Sequence, residues 1–483
     1  MRYDLAVIGG GTAGLVAALV AAGIGGRTVL IEAERTGGDC LWTGCVPSKS
    51  LIAVAGVAHA VDHAAAMGLG EVQRGPVDLG EVMDRIGRVQ ARIEPHDSAE
   101  RLRSEGVEVV PGRAVFTSDH EVAVDGRRIR FRKAVVATGS APVVPPIPGL
   151  GPDGVTPLTT DSVWSLRRLP SRLVVVGGGA VGCELGQAFS RLGSEVTLVE
   201  MTPRLLGPFP AGAAEVLAEV FASEGVAVRT GVSVAKVEPA TGGDSGDGGA
   251  GTAVLSDGGR VGFDRILIAA GRRPRTAGLG LEAAGVTLAP NGAVVVDDRL
   301  RTSSTNIYAA GDVTAELLLT PVAAIHGRHV GQHAMLGVGR PASLALLPRV
   351  VFTAPEVATV GEVTGEGDNA LRRIRFNHSD LDRALAAHET WGFTEVVVDG
   401  EDRVLGATVV GARAGETIVP WRTAVEQGSK VTSMAVPLAY PSWAEANAKV
   451  GELALRRKYD RPALRRLGRM AVRARRVAGV GRR

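Results

Sequence analysis

Leu5-Ala6-Val7-Ile8-Gly9-Gly10-Gly11-Thr12-Ala13-Gly14 opens a stretch that runs through an Ala-rich segment to Thr28-Val29-Leu30-Ile31-Glu32. Its two apolar runs read as buried strands, and the residues between them as a glycine turn followed by a helix. The spacing Gly9-x-Gly11-x-x-Gly14, with an acid 23 residues after Gly9 at Glu32, is the one a dinucleotide-binding turn requires. Gly9 makes the turn, Gly11 lets the backbone approach a pyrophosphate, and Gly14 lets helix pack on strand. The helix N-terminus offers N–H groups and a positive dipole end to the phosphates, while Glu32 accepts from ribose hydroxyls. Residues Leu5 to Gly26 carry no charge and are long enough for a membrane span or a late signal peptide, but their glycines fit a strand-turn-helix better.

The pattern returns between Leu173 and Glu200. Gly177, Gly179, Gly182 and Glu200 stand a constant 168 residues after Gly9, Gly11, Gly14 and Glu32, so two dinucleotide sites are expected. A second echo, Phe131 to Pro142 against Phe263 to Pro274 at an offset of 132, reads in both copies as a buried strand and a glycine turn. Pro145, Pro146 and Pro148 mark a boundary between the units, and residues 239–252 read as a disordered surface loop. From about residue 345 the glycine-rich pattern gives way to an α+β pattern. Strands are expected at 396–398 and 406–410, and helices at 419–427 and 443–457.

With 45% hydrophobic residues the 483-residue chain can bury a large core, which excludes disorder and collagen. Its 65 glycines are about twice the usual share of ~7%, as tight turns and close ligand approach demand. Three cysteines, Cys40, Cys45 and Cys183, are too few for a secreted disulfide framework, and a cytoplasmic location is expected. The net charge of +3 is uneven: residues 456–483 hold 12 Lys/Arg against Asp460, leaving −8 elsewhere. That tail reads as a solvated, partly helical extension. Its interspersed Leu, Met and Val also suit peripheral contact with an anionic membrane; nucleic acid is not expected, aromatic residues being absent beyond Tyr459.

Cys40-x4-Cys45 has no further Cys/His pair nearby to make a zinc site. On a regular helix residues five apart rise roughly 7.5 Å, so a bridge would distort the first turn and be easily reduced. A redox-active pair suits that spacing, and two thiols that merely pack are the alternative.

At Gly37 to Pro47, GGDCLWTGCVP, the sequence resembles the flavoprotein disulfide reductases, which include dihydrolipoamide dehydrogenase, glutathione reductase and mercuric reductase. The resemblance extends to about residue 458. It implies an FAD site at Gly9, Gly11, Gly14 and Glu32, with Lys49, Ala114, Thr138, Gly139, Ser140 and Asp312 as further contacts. It implies an NAD(H) site at Gly177, Gly179, Gly182, Glu200, Val234 and Gly271. Cys45 would face the flavin, Cys40 the substrate, and Lys49 would pair with Glu184 near the flavin. Independently, a Lys close to the cysteines lowers a thiolate pKa. Glu200 would repel a 2′-phosphate, so NADH is expected over NADP(H).

The family's C-terminal His-Pro-Thr-x-x-Glu is here Tyr440-Pro441-Ser442-Trp443-Ala444-Glu445. Tyrosine is a poor acid-base at neutral pH beside histidine. Tyr440 resembles mercuric reductase, whose soft-metal substrate needs no proton shuttle, yet the C-terminal cysteine pair of that enzyme is absent here. His326, His329 and His333 share one side of an expected helix, as a satisfied or solvated face rather than metal ligands or a substitute base.

The expectation is an α/β protein with two Rossmann-like dinucleotide-binding domains and a C-terminal α+β dimerisation domain. Its divisions fall at 1–145 and 275–343 (FAD), 146–274 (NAD), 344–458 (interface) and 459–483 (basic tail). A homodimer would pass electrons from NADH through FAD to Cys40/Cys45 and on to a small-molecule or protein disulfide, with Tyr440 and Glu445 at the catalytic end. Metal-ion or quinone reduction is the first alternative, and a redox-sensing interaction protein the second.

Overall fold

The structure is a computed structural model describing residues 2–240, 249–339, 342–363, 371–460 and 462–477. Most of the expected disordered loop, 241–248, and the end of the basic tail, 478–483, lie outside the described residues. The chain divides into two compact units, Met1–Leu205 with Phe221–Leu344, and Leu206–Val220 with Ala345–Arg483.

In the first unit, strand β1 (Arg2–Ile8), helix α1 (Thr12–Gly23) and strand β2 (Thr28–Glu32) form the first strand-turn-helix-strand. Two helices follow, α2 (Gly38–Trp42) and α3 (Cys45–Asp62). The second copy is β3 (Arg172–Val176), α4 (Ala180–Leu192) and β4 (Glu195–Glu200), and a long helix α5 (Thr320–Leu336) comes later.

β1 pairs in parallel with β2 in the register Ile8↔Ile31, and with strand Arg127–Val136 in the register Ile8↔Val136. Strand Ile307–Ala309 joins the far side of Arg127–Val136, also in parallel. The alternation of strand side chains sends Leu5, Val7, Leu30 and Val135 to one face, with α1 residues Leu15, Ala18 and Ala21 and α5 residue Val330. It sends Ala6, Ile8, Ile31 and Val136 to the other, with Phe116 and Phe131. Both faces are covered, which is why Leu5 to Ile8 reads as an unbroken apolar run. The uncharged Leu5–Gly26 segment is therefore core strand and helix.

α1 and α5 approach closely because α5 is glycine where they meet. A Cβ on Gly327 would stand 2.4 Å from the Ala13 carbonyl oxygen, and one on Gly331 2.9 Å from that of Ala17. The second sheet is parallel in the order Ala227–Thr230, β4, β3, Arg265–Ile268. Strands Ser140–Pro142 and Arg272–Pro274 pair antiparallel, with Ala141 opposite Arg273. These two residues are equivalent in the 132-residue echo, so the copies meet on matching positions.

The second unit holds a five-stranded antiparallel sheet ordered Arg349–Val351, Glu356–Gly361, Val404–Gly411, Phe393–Val398, Arg372–Asn377. Trp421, fully buried on helix Val419–Glu426, donates from Nε1 to Asn447 Oδ1 at 2.7 Å and ties it to helix α6 (Glu445–Tyr459). α6 starts two residues later than the sequence suggests; the Ser442 N–H is taken by the Glu445 carboxylate at 3.3 Å. A last helix, α7 (Pro462–Val477), follows.

Candidate active site

Both fingerprint turns have the same construction. Gly9 and Gly177 sit at φ +107° and +113°, a region that favours glycine. A Cβ on Gly14 would lie 1.9 Å from the Gly9 carbonyl oxygen, and one on Gly182 1.8 Å from that of Gly177, so these glycines let helix lie on turn. The middle glycines differ: Gly179 has nothing within 4 Å of a built Cβ, and Gly11 only the Gly38 Cα at 3.8 Å. Each thus leaves open ground before a helix N-terminus, the cradle a pyrophosphate needs. Glu32 accepts from the Gly10 N–H at 2.5 Å and the Glu34 N–H at 2.8 Å. Glu200 accepts from the Gly178 N–H at 2.6 Å and the Thr202 N–H at 2.7 Å. The loops themselves hold both acids at the ends of their strands.

The cysteines do not share one regular helix. The chain breaks at Thr43 and Gly44, with Cys40 inside α2 and Cys45 as the first residue of α3. The expectation of a bridge distorting a continuous helix is therefore corrected. Both are free thiols, half-buried, and the Cys45 Sγ lies 3.1 Å from Thr320 Oγ1 at the start of α5. Their proton affinities are pushed apart. A hydrogen bond from Cys40 holds the Cys45 thiol below its usual range, helped by Thr320 and the Lys49 charge. The same bond, with burial, raises Cys40. The α3 N-terminus favours a thiolate at Cys45 for its own reason. Both causes push the proton toward Cys40 and away from Cys45.

Lys49, one turn after Cys45, donates to Glu184 Oε2 at 2.8 Å. Glu184 is buried on α4, just past the second glycine turn, so the pair links the thiol-bearing helix to that turn.

Asp312, half-buried in the short turn after strand Ile307–Ala309, accepts from Ser140 Oγ at 2.8 Å; burial raises its pKa. Thr138 Oγ1 donates to the Arg275 carbonyl at 2.6 Å, and Gly139 follows at φ +69°. Ala114 is buried at the head of strand Ala114–Ser118, and Val234 at the head of Val234–Pro239. Gly271, at φ +112°, has open space at its Cβ.

Besides Thr320, three participants carry no local signal in the sequence: Asp39, Arg272 and Arg275. Arg272 donates from Nε to Ser140 Oγ at 2.7 Å and from Nη2 to Asp39, and Arg275 donates to Asp39 Oδ1 at 3.2 Å. Asp39, beside Cys40, is thus clamped by two arginines. The signal available was the echo itself, since Arg272 occupies the position equivalent to Ser140, which it contacts.

The α5 histidines are not the satisfied or solvated face expected: Nε2 of His326 and of His329 is buried without a hydrogen-bond partner among the described residues, though other ring nitrogens on this helix are bonded. The Gly311 N–H donates to Nδ1 of fully buried His326 at 3.2 Å, and burial, then the His329 charge, lower its pKa to about 4. Nδ1 of His333 is 3.0 Å from the Tyr308 hydroxyl. In the second unit, Tyr440 is 70% exposed and its hydroxyl donates to Asp382 Oδ2 at 2.9 Å, which raises its pKa.

Residues 3–327 match the family described as pyridine nucleotide-disulphide oxidoreductase, and residues 347–449 match its dimerisation domain. The chain is 33% identical over 444 residues to a mercuric reductase from Bacillus cereus, covering 90% of this chain and 69% of that one. It is 35% identical over 468 residues to a dihydrolipoyl dehydrogenase from Thermus scotoductus, covering 93% and 97%. Similar solved structures include the HOCl-induced flavoprotein disulfide reductase RclA from Escherichia coli, with TM-score 0.81, 26% identity, and coverage of 93% and 99%. LpdA from Mycobacterium tuberculosis gives TM-score 0.82 at 32% identity, with the same coverage.

Proposed function

We propose a function from the premise that this chain belongs to the pyridine nucleotide-disulphide oxidoreductase family, whose members are FAD-dependent with NAD(P)H as electron donor. Our reading is that the chain carries electrons from NADH to Cys40 and Cys45 and exchanges them with a disulfide or dithiol, as a dihydrolipoyl dehydrogenase does. The residues fit both cofactors. The open ground at Gly11 with Glu32, Ser140 and the half-buried Asp312 suits FAD, and that at Gly179 with Glu200 suits the nicotinamide nucleotide. When bound, the flavin supplies hydride acceptance from the nicotinamide and delivery of the electron pair to a disulfide.

The observation that carries the reading is the setting of the pair: Cys45 heads α3 with its Sγ 3.1 Å from Thr320 Oγ1 and Lys49 one turn on, while Cys40 lies in the helix before it. With the pair reduced, Cys45 rests as thiolate, screened by Thr320 and Lys49, while Cys40 holds its proton until substrate arrives. Loss of that proton lets the Cys40 sulfur attack a substrate disulfide and expel one substrate thiolate. Cys45 then attacks Cys40 in the mixed disulfide, expelling the second thiolate and restoring the Cys40–Cys45 bond. Two electrons pass to the substrate, which takes up two protons to leave as a dithiol; the reverse sequence oxidises a dithiol. The test is disulfide-dependent NADH oxidation in a Cys45→Ser variant. Loss of turnover with flavin still bound is expected, and turnover at the unsubstituted rate would refute the reading.

Tyr440 favours a second reading. Its phenol donates to Asp382, and a hydroxyl of high pKa gives a leaving thiolate its proton poorly. Soft metal ions, or quinones, need no such proton at the thiol pair. NADH-driven reduction of such acceptors without disulfide turnover would select it.

A further inference from the structure

We infer that α7 is a docking helix for the surface of an anionic phospholipid bilayer, independently of which acceptor the thiols serve. The helix begins at Pro462, beyond residue 449 where the dimerisation-domain match ends. At 100° per residue, Arg465, Arg466, Arg469, Arg473 and Arg476 fall on one side. Leu464, Leu467, Met470, Ala471 and Ala474 fall on the other, with Arg475 at its edge beside Leu464. No acid occurs between Pro462 and Val477, and the nearest, Asp460, is taken by Arg465 at 2.5 Å.

Among the described residues the apolar side is exposed, Leu467 at 58% and Met470 at 57%. A 16-residue helix spans about 24 Å, too short and too charged to cross a membrane, so the geometry is that of a helix lying in the interface. Charge and apolarity together choose the occupant. The same helix of a second copy would bring two arginine-rich faces together. A nucleic acid would neutralise the arginines but leave Leu467 and Met470 in water. An anionic bilayer offers acyl chains to one side and headgroup charge to the other, whereas the remaining chain, at −8, offers such a surface nothing.

The test is co-sedimentation of the full-length, FAD-loaded enzyme with phosphatidylcholine vesicles, with and without phosphatidylglycerol. Binding to the phosphatidylglycerol vesicles alone, weakening with salt, is expected. Each arginine near such a surface is worth about fivefold, so R465Q/R469Q/R473Q should bind roughly a hundredfold more weakly. L467S/M470S, with every charge kept, should also lose binding, and both variants should oxidise NADH at the unsubstituted rate. A chain ending at Asp460 serves as the second control and should not bind. Absence of binding, equal binding to neutral vesicles, or binding that survives L467S/M470S or the truncation would each overturn the inference. A change in oligomeric state on truncation, or displacement from vesicles by duplex DNA, would assign the helix to another partner and overturn it equally.

Discussion

Which of two cysteines holds a proton is decided by their immediate neighbours. Cys45 receives a hydrogen bond from Cys40, a hydroxyl from Thr320 and the field of Lys49, all favouring its thiolate. A lowered pKa means the thiolate is present above that pKa and lost as pH falls through it. Thr320→Val removes one favouring partner, so the midpoint should rise by about one pH unit, a hydrogen bond to a charged group being worth about 1.5–3 kcal/mol. Thiolate absorbance of the reduced enzyme against pH measures this; an unmoved midpoint would contradict the role given to Thr320. Tyr440→His should raise disulfide-dependent turnover about 10²-fold near neutral pH, the usual gain from a matched acid-base. Steady-state rates at saturating NADH check it. Glu200, held by two loop amides, should make NADH the better donor, and Glu200→Ala should narrow the preference; kcat/KM for NADH and NADPH, equal or inverted in the unsubstituted enzyme, would contradict this.

Elements were legible where one residue type satisfies the geometry. The two glycine turns and their acids could be read because only glycine tolerates a carbonyl oxygen 1.8 to 1.9 Å from where Cβ would sit. Gly327 lies under the same constraint between α1 and α5, and Gly327→Val should cost about 1–3 kcal/mol or more through overpacking, measurable as a lowered denaturation midpoint. The Asp39–Arg272–Arg275 cluster and the Thr320 contact to Cys45 were not legible, since their partners stand more than two hundred residues apart and no local pattern marks them. The break between α2 and α3 was hidden for another reason: Thr43-Gly44 permits a helix interruption without demanding one. The contact of Lys49 with Glu184 was legible only through the family resemblance; periodicity alone would have left each as a helix-surface residue.

At the scale of the molecule, the dimerisation-domain match over residues 347–449 supports a homodimer, and light scattering should return about twice the 49.8 kDa chain. Both nucleotide cradles, the dithiol and the Lys49–Glu184 pair belong to one compact unit, so NADH should reduce the thiols within a single chain. An anaerobic titration of the FAD-loaded enzyme with NADH tests this most directly. The expected result is that the first equivalent reduces the Cys40–Cys45 disulfide and leaves Cys45 as thiolate while the flavin stays oxidised, seen as a long-wavelength charge-transfer band, with flavin bleaching only on the second. Flavin bleaching at the first equivalent without that band would show the cysteines idle and contradict it.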